Sequence, residues 1–508
     1  MFSARLTIDP RFEIGTVSRR LFGSFGVASF VEHLGRCVYD GLYEPGHESS
    51  DENGFRQDVV ELVRELGVST VRYPGGNFVS GYKWEDGVGP REQRPSRLEL
   101  AWHSTETNAF GLHEFMGWIE QVGGEPMLAL NLGTRGVAEA LDLVEYTNIR
   151  GGTTLSEARV ANGSAEPFDV RMWCLGNEMD GPWQLGHRDA DAYGTLASQT
   201  AKGLRQIDPS LELVVCGSSN AQMPTFGEWE RVVLGHTYDD VDFISCHAYY
   251  QERDGDTGDF LASAVNMDRF IESVVATADH VAAVRKSSKR IDISFDEWNV
   301  WYQTRFEDED KIGGIDNWPI APRLLEDKYS VLDAVVVGNL LISLLKHSDR
   351  VRSAALAQLV NVIAPIMTEP GGPAWRQSIF FPFATTSRLA RGAALDVRLE
   401  APVYGTATYG DVPLVDAVAT YDAESGKTSV FVVNRSLSDE AEIVVDVRAL
   451  GDVSVQAASS LYDEDIHAAN TLEDQARVGL RPTPTATIED GHLRLVLPPV
   501  SWTAVTLG

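Results

Sequence analysis

The stretch FRQDVVELVRELGVSTVRYPGGN, Phe55–Asn77, holds a complete helix–strand unit. Phe55, Val59, Leu62, Val63 and Leu66 recur at the spacing of one helical face, and Asn53-Gly54 provides the entry signal. Val68–Tyr73 follows as a short apolar, β-rich run, and Pro74-Gly75-Gly76 interrupts it. A helix that feeds a strand and then a turn is the repeat of a parallel sheet. The same alternation is legible on both sides of this stretch.

Strands are predicted at Leu21–Phe30, Val68–Tyr73, Met127–Leu132, Val170–Leu175, Leu211–Cys216, Asp242–Cys246, Ile291–Phe295 and Ala354–Asn361. Helices are predicted at Phe55–Leu66, Phe110–Val122, Ala138–Glu145, Ala190–Ile207, Phe260–Val284 and Ser330–Lys346. An eightfold alternation favours closure into a (β/α)8 TIM barrel of the α/β class. Periodicity alone also admits an open doubly wound sheet. Against that, no GxGxxG follows the first strand and no Walker lysine motif is present.

Beyond Phe383 the pattern changes to short runs at hairpin spacing: Val412–Thr420, Thr428–Asn434, Glu442–Val447 and Leu493–Leu507. Turns such as Glu424-Ser425-Gly426 and Glu489-Asp490-Gly491 separate them, as in an antiparallel β-sandwich. The strand-like Ala4–Asp9 precedes the barrel and is free to pair into that sandwich. The expected division is a barrel over 16–383 and a C-terminal jelly-roll sandwich over 384–508 that also takes 1–15.

Composition bounds the partners. The 508 residues are 43% hydrophobic and 23% charged, enough for a real core. Their net charge of -31 disfavours nucleic acid and anionic membrane surfaces and is compatible with a neutral substrate. The 4 cysteines form no CxxC pair, which argues against a zinc site. Three of them, Cys174, Cys216 and Cys246, sit in strand-like runs as small hydrophobes, while Cys37 stands in a loop-like stretch. MFSARLTIDPRFE lacks the features of a secretory signal, and Tyr329–His347 reads as a buried helix rather than a membrane span. A cytoplasmic protein is expected.

In a parallel barrel the C-terminal strand ends build the active site. Just past the predicted strands stand Asn77, Arg135, Asn177-Glu178, His247-Ala248-Tyr249, Asp296-Glu297-Trp298 and Gln358. Such groups suit a polyhydroxylated, uncharged ligand. Glu178 and Glu297 each end a strand, and glycosidic hydrolysis needs one carboxylic acid for the leaving oxygen and one carboxylate for the anomeric carbon. A glutamate taken singly is more often a surface group or an ion-pair partner. Two of them at strand ends, beside asparagine and tryptophan, point to catalysis.

Gly176-Asn177-Glu178 and Asp296-Glu297-Trp298 resemble the signatures of the retaining-glycosidase clan of (β/α)8 barrels. RYPGGNFVSGYKWEDGVGP (Arg72–Pro90), AWHSTETNAFGLHEF (Ala101–Phe115), WCLGNEMDGPWQLGH (Trp173–His187), SCHAYY (Ser245–Tyr250) and DEWNVWY (Asp296–Tyr302) narrow the resemblance to the α-L-arabinofuranosidases of glycoside hydrolase family 51. The resemblance implies an exo-acting retaining enzyme without a cofactor, acting on arabinose-containing oligosaccharides, and a homo-oligomer, commonly a hexamer. It implies Glu178 as general acid/base and Glu297 as nucleophile. Glu32, Asn77, Asn177 and Gln358 would bind furanose hydroxyls, Tyr249 would contact the nucleophile, and Trp102 and Trp301 would wall the subsites. The alternatives are another retaining furanosidase, such as a β-D-galactofuranosidase, and a non-catalytic carbohydrate-binding barrel. This chain departs from the family by about five extra residues around Gly26–Phe30, which bears on Glu32.

The remaining candidates have plainer readings. His33, His103, His113, His187 and His247 form no HExxH pair, and His247 is the best of them for a contact near the nucleophile. Arg72 is equally consistent with orienting a catalytic carboxylate and with a structural ion pair. Phe306–Lys311, FEDEDK, is expected to be a solvated loop.

Overall fold

The computed structural model describes residues 1–21 and 27–508. Residues 22–26, part of the first predicted strand and of the family departure, lie outside the described residues. Strands β1 (Val27–Phe30), β2 (Val68–Tyr73), β3 (Glu125–Ala129), β4 (Met172–Leu175), β5 (Glu212–Val215), β6 (Phe243–Tyr250), β7 (Asp292–Val300) and β8 (Val351–Leu356) close a barrel in chain order. Every neighbouring pair is parallel. The interior is plugged by Val79, Met127, Ala129, Met172, Cys174, Val214 and Phe243, so the barrel is a packed core with its open end at the strand C-termini.

The helix Gln57–Leu66 shows why the exterior forms. Val59, Val60, Leu62, Val63 and Leu66 are buried, and Gly67 ends the helix at φ 79 with its N–H on the carbonyls of Val63 and Arg64. Helices also occupy Leu112–Val122, Val137–Asn148, Ala190–Ile207 and Val331–Lys346, close to the expected spans. The expected helix over Phe260–Val284 is instead two, Thr257–Leu261 and Ala264–Arg285, the first capped by the Asp256 carboxylate on the Asp259 N–H. Thr154–Ala161, Glu228–Thr237 and Phe380–Leu389 are further helices that apolar periodicity did not reveal.

β6 and β7 run beyond their predicted ends. His247, Ala248, Tyr249 and Tyr250 pair with Glu297, Trp298, Asn299 and Val300. Trp298 and Val300 are fully buried, so this apolar pair keeps the chain in the sheet past Glu297. Glu297 and Tyr249 therefore project from strands, not from the loops that follow them.

Two further sheets form a sandwich. One has five strands, in the order Arg398–Glu400, Phe2–Thr7, Ala441–Asp446, His492–Leu497 and Thr487–Glu489. The other has seven, in the order Glu13–Thr16, Ala393–Leu395, Val415–Asp422, Lys427–Asn434, Ser501–Leu507, Val455–Leu461 and Arg481–Pro482. The run predicted as one strand, Leu493–Leu507, is thus two strands in different sheets. Residues Val331–Leu345 are buried throughout because their helix packs on the barrel and on this seven-stranded sheet. Gly338 permits the approach: a Cβ there would overlap the Trp502 ring. Among the described residues no helix is long and apolar enough to cross a membrane.

A buried polar cluster pins this helix to the sandwich. Asp416 accepts from Asn339 Nδ2 at 2.8 Å, from Arg435 Nη2 at 2.8 Å and from Lys346 Nζ. Arg435 also donates to Asn339 Oδ1. Burial works to raise the Asp416 carboxyl, but Lys346 and Arg435 outweigh it and hold the group at about 2. Its stabilisation is complete above the ordinary aspartate value of 3.8 and is lost as pH falls through about 2. Asp416→Asn leaves two cations short of an anion, so the unfolding free energy should drop by about 3–5 kcal/mol at neutral pH. Thermal unfolding of both proteins at several pH values checks this: the gap should narrow between about pH 4 and about pH 2. A gap that stays constant over that range contradicts the assignment.

Candidate active site

The barrel mouth opens into a cavity of about 1030 Å³ that reaches Glu32, Asn77, Trp102, Glu178, Tyr249, Glu297, Trp301 and Gln358. Asn177 and His247, buried, lie behind this lining. All ten residues singled out from the sequence are therefore at one end of the barrel.

Glu297 is fixed at both oxygens. Arg72 Nη1 donates to its Oε1 at 2.6 Å and the Tyr249 hydroxyl donates to its Oε2 at 2.8 Å. The same guanidinium sends Nη2 to Asn177 Oδ1 at 2.6 Å, which turns the Asn177 amide N–H2 towards Asn77 Oδ1, 3.4 Å away. Arg72 is 1% exposed, and one planar fork thus orients residues from β7 and from the turn after β4. Burial pushes the Glu297 carboxyl above the usual glutamate value; His247 and Arg72 pull it down, Glu178 pushes it up, and the Tyr249 hydrogen bond pulls it down.

Glu178 follows the β4 strand through Gly176 at φ 99 and itself has φ 43. A left-handed residue here turns the chain so that the carboxylate meets β6. His247 Nδ1 lies 2.9 Å from Glu178 Oε1, and the Trp183 indole N–H donates to Oε2 at 2.7 Å. The other His247 nitrogen, Nε2, lies 3.0 Å from Asp296 Oδ1. Burial lowers the His247 pKa, yet Glu297, Asp296 and Glu178 outweigh it and raise it well above the usual histidine value. Both ring nitrogens face carboxylate oxygens, an arrangement that favours a protonated ring donating from each. Oxygens of Glu178 and Glu297 lie within 4.8 Å of each other and of a His247 nitrogen.

Glu32 closes the other side. Its Oε1 accepts from the Phe78 N–H at 2.9 Å and the Trp102 indole at 3.0 Å, and its Oε2 accepts from Gln358 Nε2 at 3.0 Å. Gly75 and Gly76 permit this crowding. A Cβ on Gly75 would lie 2.5 Å from Glu32 Cγ, and one on Gly76 would lie 3.2 Å from Glu297 Oε1. Gln358 Oε1 and Trp301 Nε1 are buried without a hydrogen-bond partner among the described residues, leaving an acceptor and a donor for a ligand. Trp301 packs edge-on against Tyr249 with ring centroids 5.1 Å apart.

Sequence reasoning missed several participants. Asp296 is the residue before Glu297, and its role shows once β6 brings His247 to it. Trp183 lies inside the quoted WQLGH motif, and its contact with Glu178 follows from the left-handed turn. Phe306–Asp310 is a single π-helical turn where a loop was expected, with Glu307, Asp308 and Glu309 exposed as expected. Phe306 packs on the Trp102 and Trp301 rings, so the apolar wall anchors an otherwise acidic segment at the cavity. The plain reading of Cys37 as a loop residue omits its complete burial.

Two family models match the chain, the α-L-arabinofuranosidase 1 domain over residues 62–269 and the α-L-arabinofuranosidase C-terminal domain over residues 296–501. The chain is 59% identical to an exo-α-(1→6)-L-arabinofuranosidase of Bifidobacterium longum, across 99% of this chain and 97% of the relative. It is 58% identical to an intracellular exo-α-(1→5)-L-arabinofuranosidase of Streptomyces lividans, across 99% of this chain and 75% of that protein. Among solved structures, a family 51 α-L-arabinofuranosidase from Bifidobacterium longum superposes with a TM-score of 0.95 at 47% identity, covering 100% of both chains. An arabinose complex of the Thermotoga maritima α-L-arabinofuranosidase superposes with a TM-score of 0.86 at 32% identity, covering 99% of both chains.

The state of Glu32 is testable. Burial pushes its carboxyl up to about 8; the Phe78 and Trp102 hydrogen bonds only partly counter this, and Glu297 adds to the rise. In the unfolded chain the group would titrate near 4.5, so its contribution to folding is full below that value and is lost as pH rises towards 8. Glu32→Gln replaces a protonated carboxyl with a neutral amide of the same shape. Its melting temperature relative to wild type should climb by about 2 °C or more between about pH 5 and about pH 8. A difference that is flat or falls with pH means that Glu32 is ionised in the folded protein.

Proposed function

The chain belongs to the α-L-arabinofuranosidases of glycoside hydrolase family 51, and from that membership we infer that it removes terminal L-arabinofuranose from the ends of arabinose-containing oligosaccharides. The observation that carries the mechanism is the approach of Glu178 and Glu297 to within 4.8 Å. A short separation leaves no room for a water opposite the leaving group and favours direct attack by a carboxylate, which gives a retaining double displacement.

In this reading Glu297 attacks the anomeric carbon while Glu178 gives its proton to the leaving oxygen. Arg72 and Tyr249 hold the attacking carboxylate from opposite oxygens, which limits its rotation. His247 donates to Glu178 Oε1, so the negative charge that appears on Glu178 after proton transfer meets a cation. Glu178 then takes a proton from water, which releases the sugar from Glu297. Asn177 is oriented by Arg72 to donate to a ring hydroxyl beside the reacting carbon, a bond that strengthens as positive charge develops there. Asn77, Glu32 and Gln358 hold the other hydroxyls, and Trp102 and Trp301 present apolar faces to the sugar.

The word intracellular in the name of the Streptomyces relative supports a cytoplasmic setting. Family resemblance supports a homo-oligomer, which sedimentation at working concentration would reveal. For the activity itself, aryl α-L-arabinofuranosides should be hydrolysed faster than aryl β-D-galactofuranosides, and the reverse order overturns the reading. Glu178→Ala should cost about 10²–10⁴-fold in kcat/KM on substrates with poor leaving groups and far less on activated aryl glycosides. Equal losses on both substrate types remove Glu178 from the acid role.

A further inference from the structure

The cavity is larger than one pentose needs. At about 1030 Å³ it reaches the upper end of sites that hold a drug-sized ligand. Its lining continues from Tyr249 and Glu297 to Arg253, Gln303, Thr408 and Tyr409. The last two come from the hairpin Val403–Pro413, whose strands Val403–Thr406 and Gly410–Pro413 pair antiparallel as an excursion ahead of the seven-stranded sandwich sheet.

This hairpin is fastened to the barrel. The Tyr404 hydroxyl donates to the Gly258 carbonyl at 2.9 Å, the Thr408 N–H donates to Asp259 Oδ1 at 2.8 Å, and Arg269 donates to the Tyr409 carbonyl at 3.2 Å. Three contacts hold the hairpin where Tyr409 lines the cavity. Burial pushes its hydroxyl up to about 12, so it remains a neutral donor. The same lining carries two uncommitted groups. The Arg253 guanidinium and the Gln303 side-chain amide carry no hydrogen bond or ion pair to another described residue. Phe306 supplies an apolar face on the Trp301 side, 6.2 Å between ring centroids.

We propose that the sandwich hairpin Val403–Pro413 and the segment following β6 form a second sugar subsite, which binds the leaving-group portion of a neutral arabinose-containing oligosaccharide. The proposal rests on the furanosidase reading and extends it: the sandwich domain takes part in choosing substrate. An aromatic ring with planar, uncommitted amide and guanidinium donors is the equipment of carbohydrate recognition. Acidic neighbours, Glu307, Asp256 and Asp259, line the same cavity and disfavour anionic chains.

The test compares arabinotriose with an aryl α-L-arabinofuranoside, whose leaving group carries no second sugar. In Tyr409→Ala and in Arg253→Ala the ratio of kcat/KM for arabinotriose to that for the aryl substrate should fall by about fivefold or more, through KM. An unchanged ratio in both variants overturns the subsite. Arg253 is exposed and has no side-chain partner among the described residues, so its variant decides the matter if Tyr409→Ala loses thermal stability. Absence of aryl α-L-arabinofuranoside hydrolysis by the wild type is a different result, and it overturns the underlying activity instead.

Discussion

A guanidinium buried beneath the barrel mouth is the constraint around which the site is arranged. Arg72 is 1% exposed on β2, and a cation so placed must be paired and hydrogen-bonded or the fold loses several kcal/mol. It pairs with Glu297 on β7 and bonds Asn177 beyond β4, with Asp296 3.9 Å from its Nε. These partners are remote in sequence, so the clamp exists only if the barrel closes in register. Closure in turn depends on the packed interior from Val79 to Phe243 and on the helices outside it. Folding and chemistry thus share one interaction: the pair that satisfies the buried cation also aims the proposed nucleophile.

Burial works against a charged His247, but Glu297, Asp296 and Glu178 outweigh it and raise its pKa well above the usual histidine value. Asp296 touches the imidazolium and lies within reach of Arg72, while Glu297 touches Arg72 and has an oxygen 3.5 Å from His247. Burial pushes the Glu32 carboxyl up to about 8, which favours its neutral form at neutral pH. In the proposed mechanism the remaining carboxyl, Glu178, carries the proton to the leaving oxygen. Its contacts with His247 and Trp183 supply donors for the charge it acquires after giving that proton away. The reaction centre sets its own local balance, with Arg72 and His247 facing the carboxyls of Asp296 and Glu297.

Much of this was legible in the chain because the information is local. The amphipathic face of Phe55–Leu66 and the apolar run Val68–Tyr73 specify helix and strand without help, and Val68–Tyr73 is the strand observed. Glu178, Glu297, His247 and Tyr249 could be read as rim residues because strand ends face one way in a parallel barrel. Pairing was not legible. The continuation of β7 past Glu297 depends on β6 beside it, and the clamp by Arg72 depends on three strands at once. The role of Phe306 was hidden by the acidic residues after it, since charge content describes solvation and not what a single aromatic meets. Division of Leu493–Leu507 between two sheets turns on Val500 at φ 43, a local bend that apolar content does not report.

In the proposed mechanism Glu297 attacks the sugar directly, with Glu178 as the acid beside it. Proton NMR of the first-formed arabinose during hydrolysis of an α-L-arabinofuranoside, read before mutarotation, tests this most directly. The arrangement predicts that the α-anomer appears first and converts slowly to the equilibrium mixture. Initial release of the β-anomer would mean a single inversion by water, and would contradict the assignment of Glu297 as nucleophile.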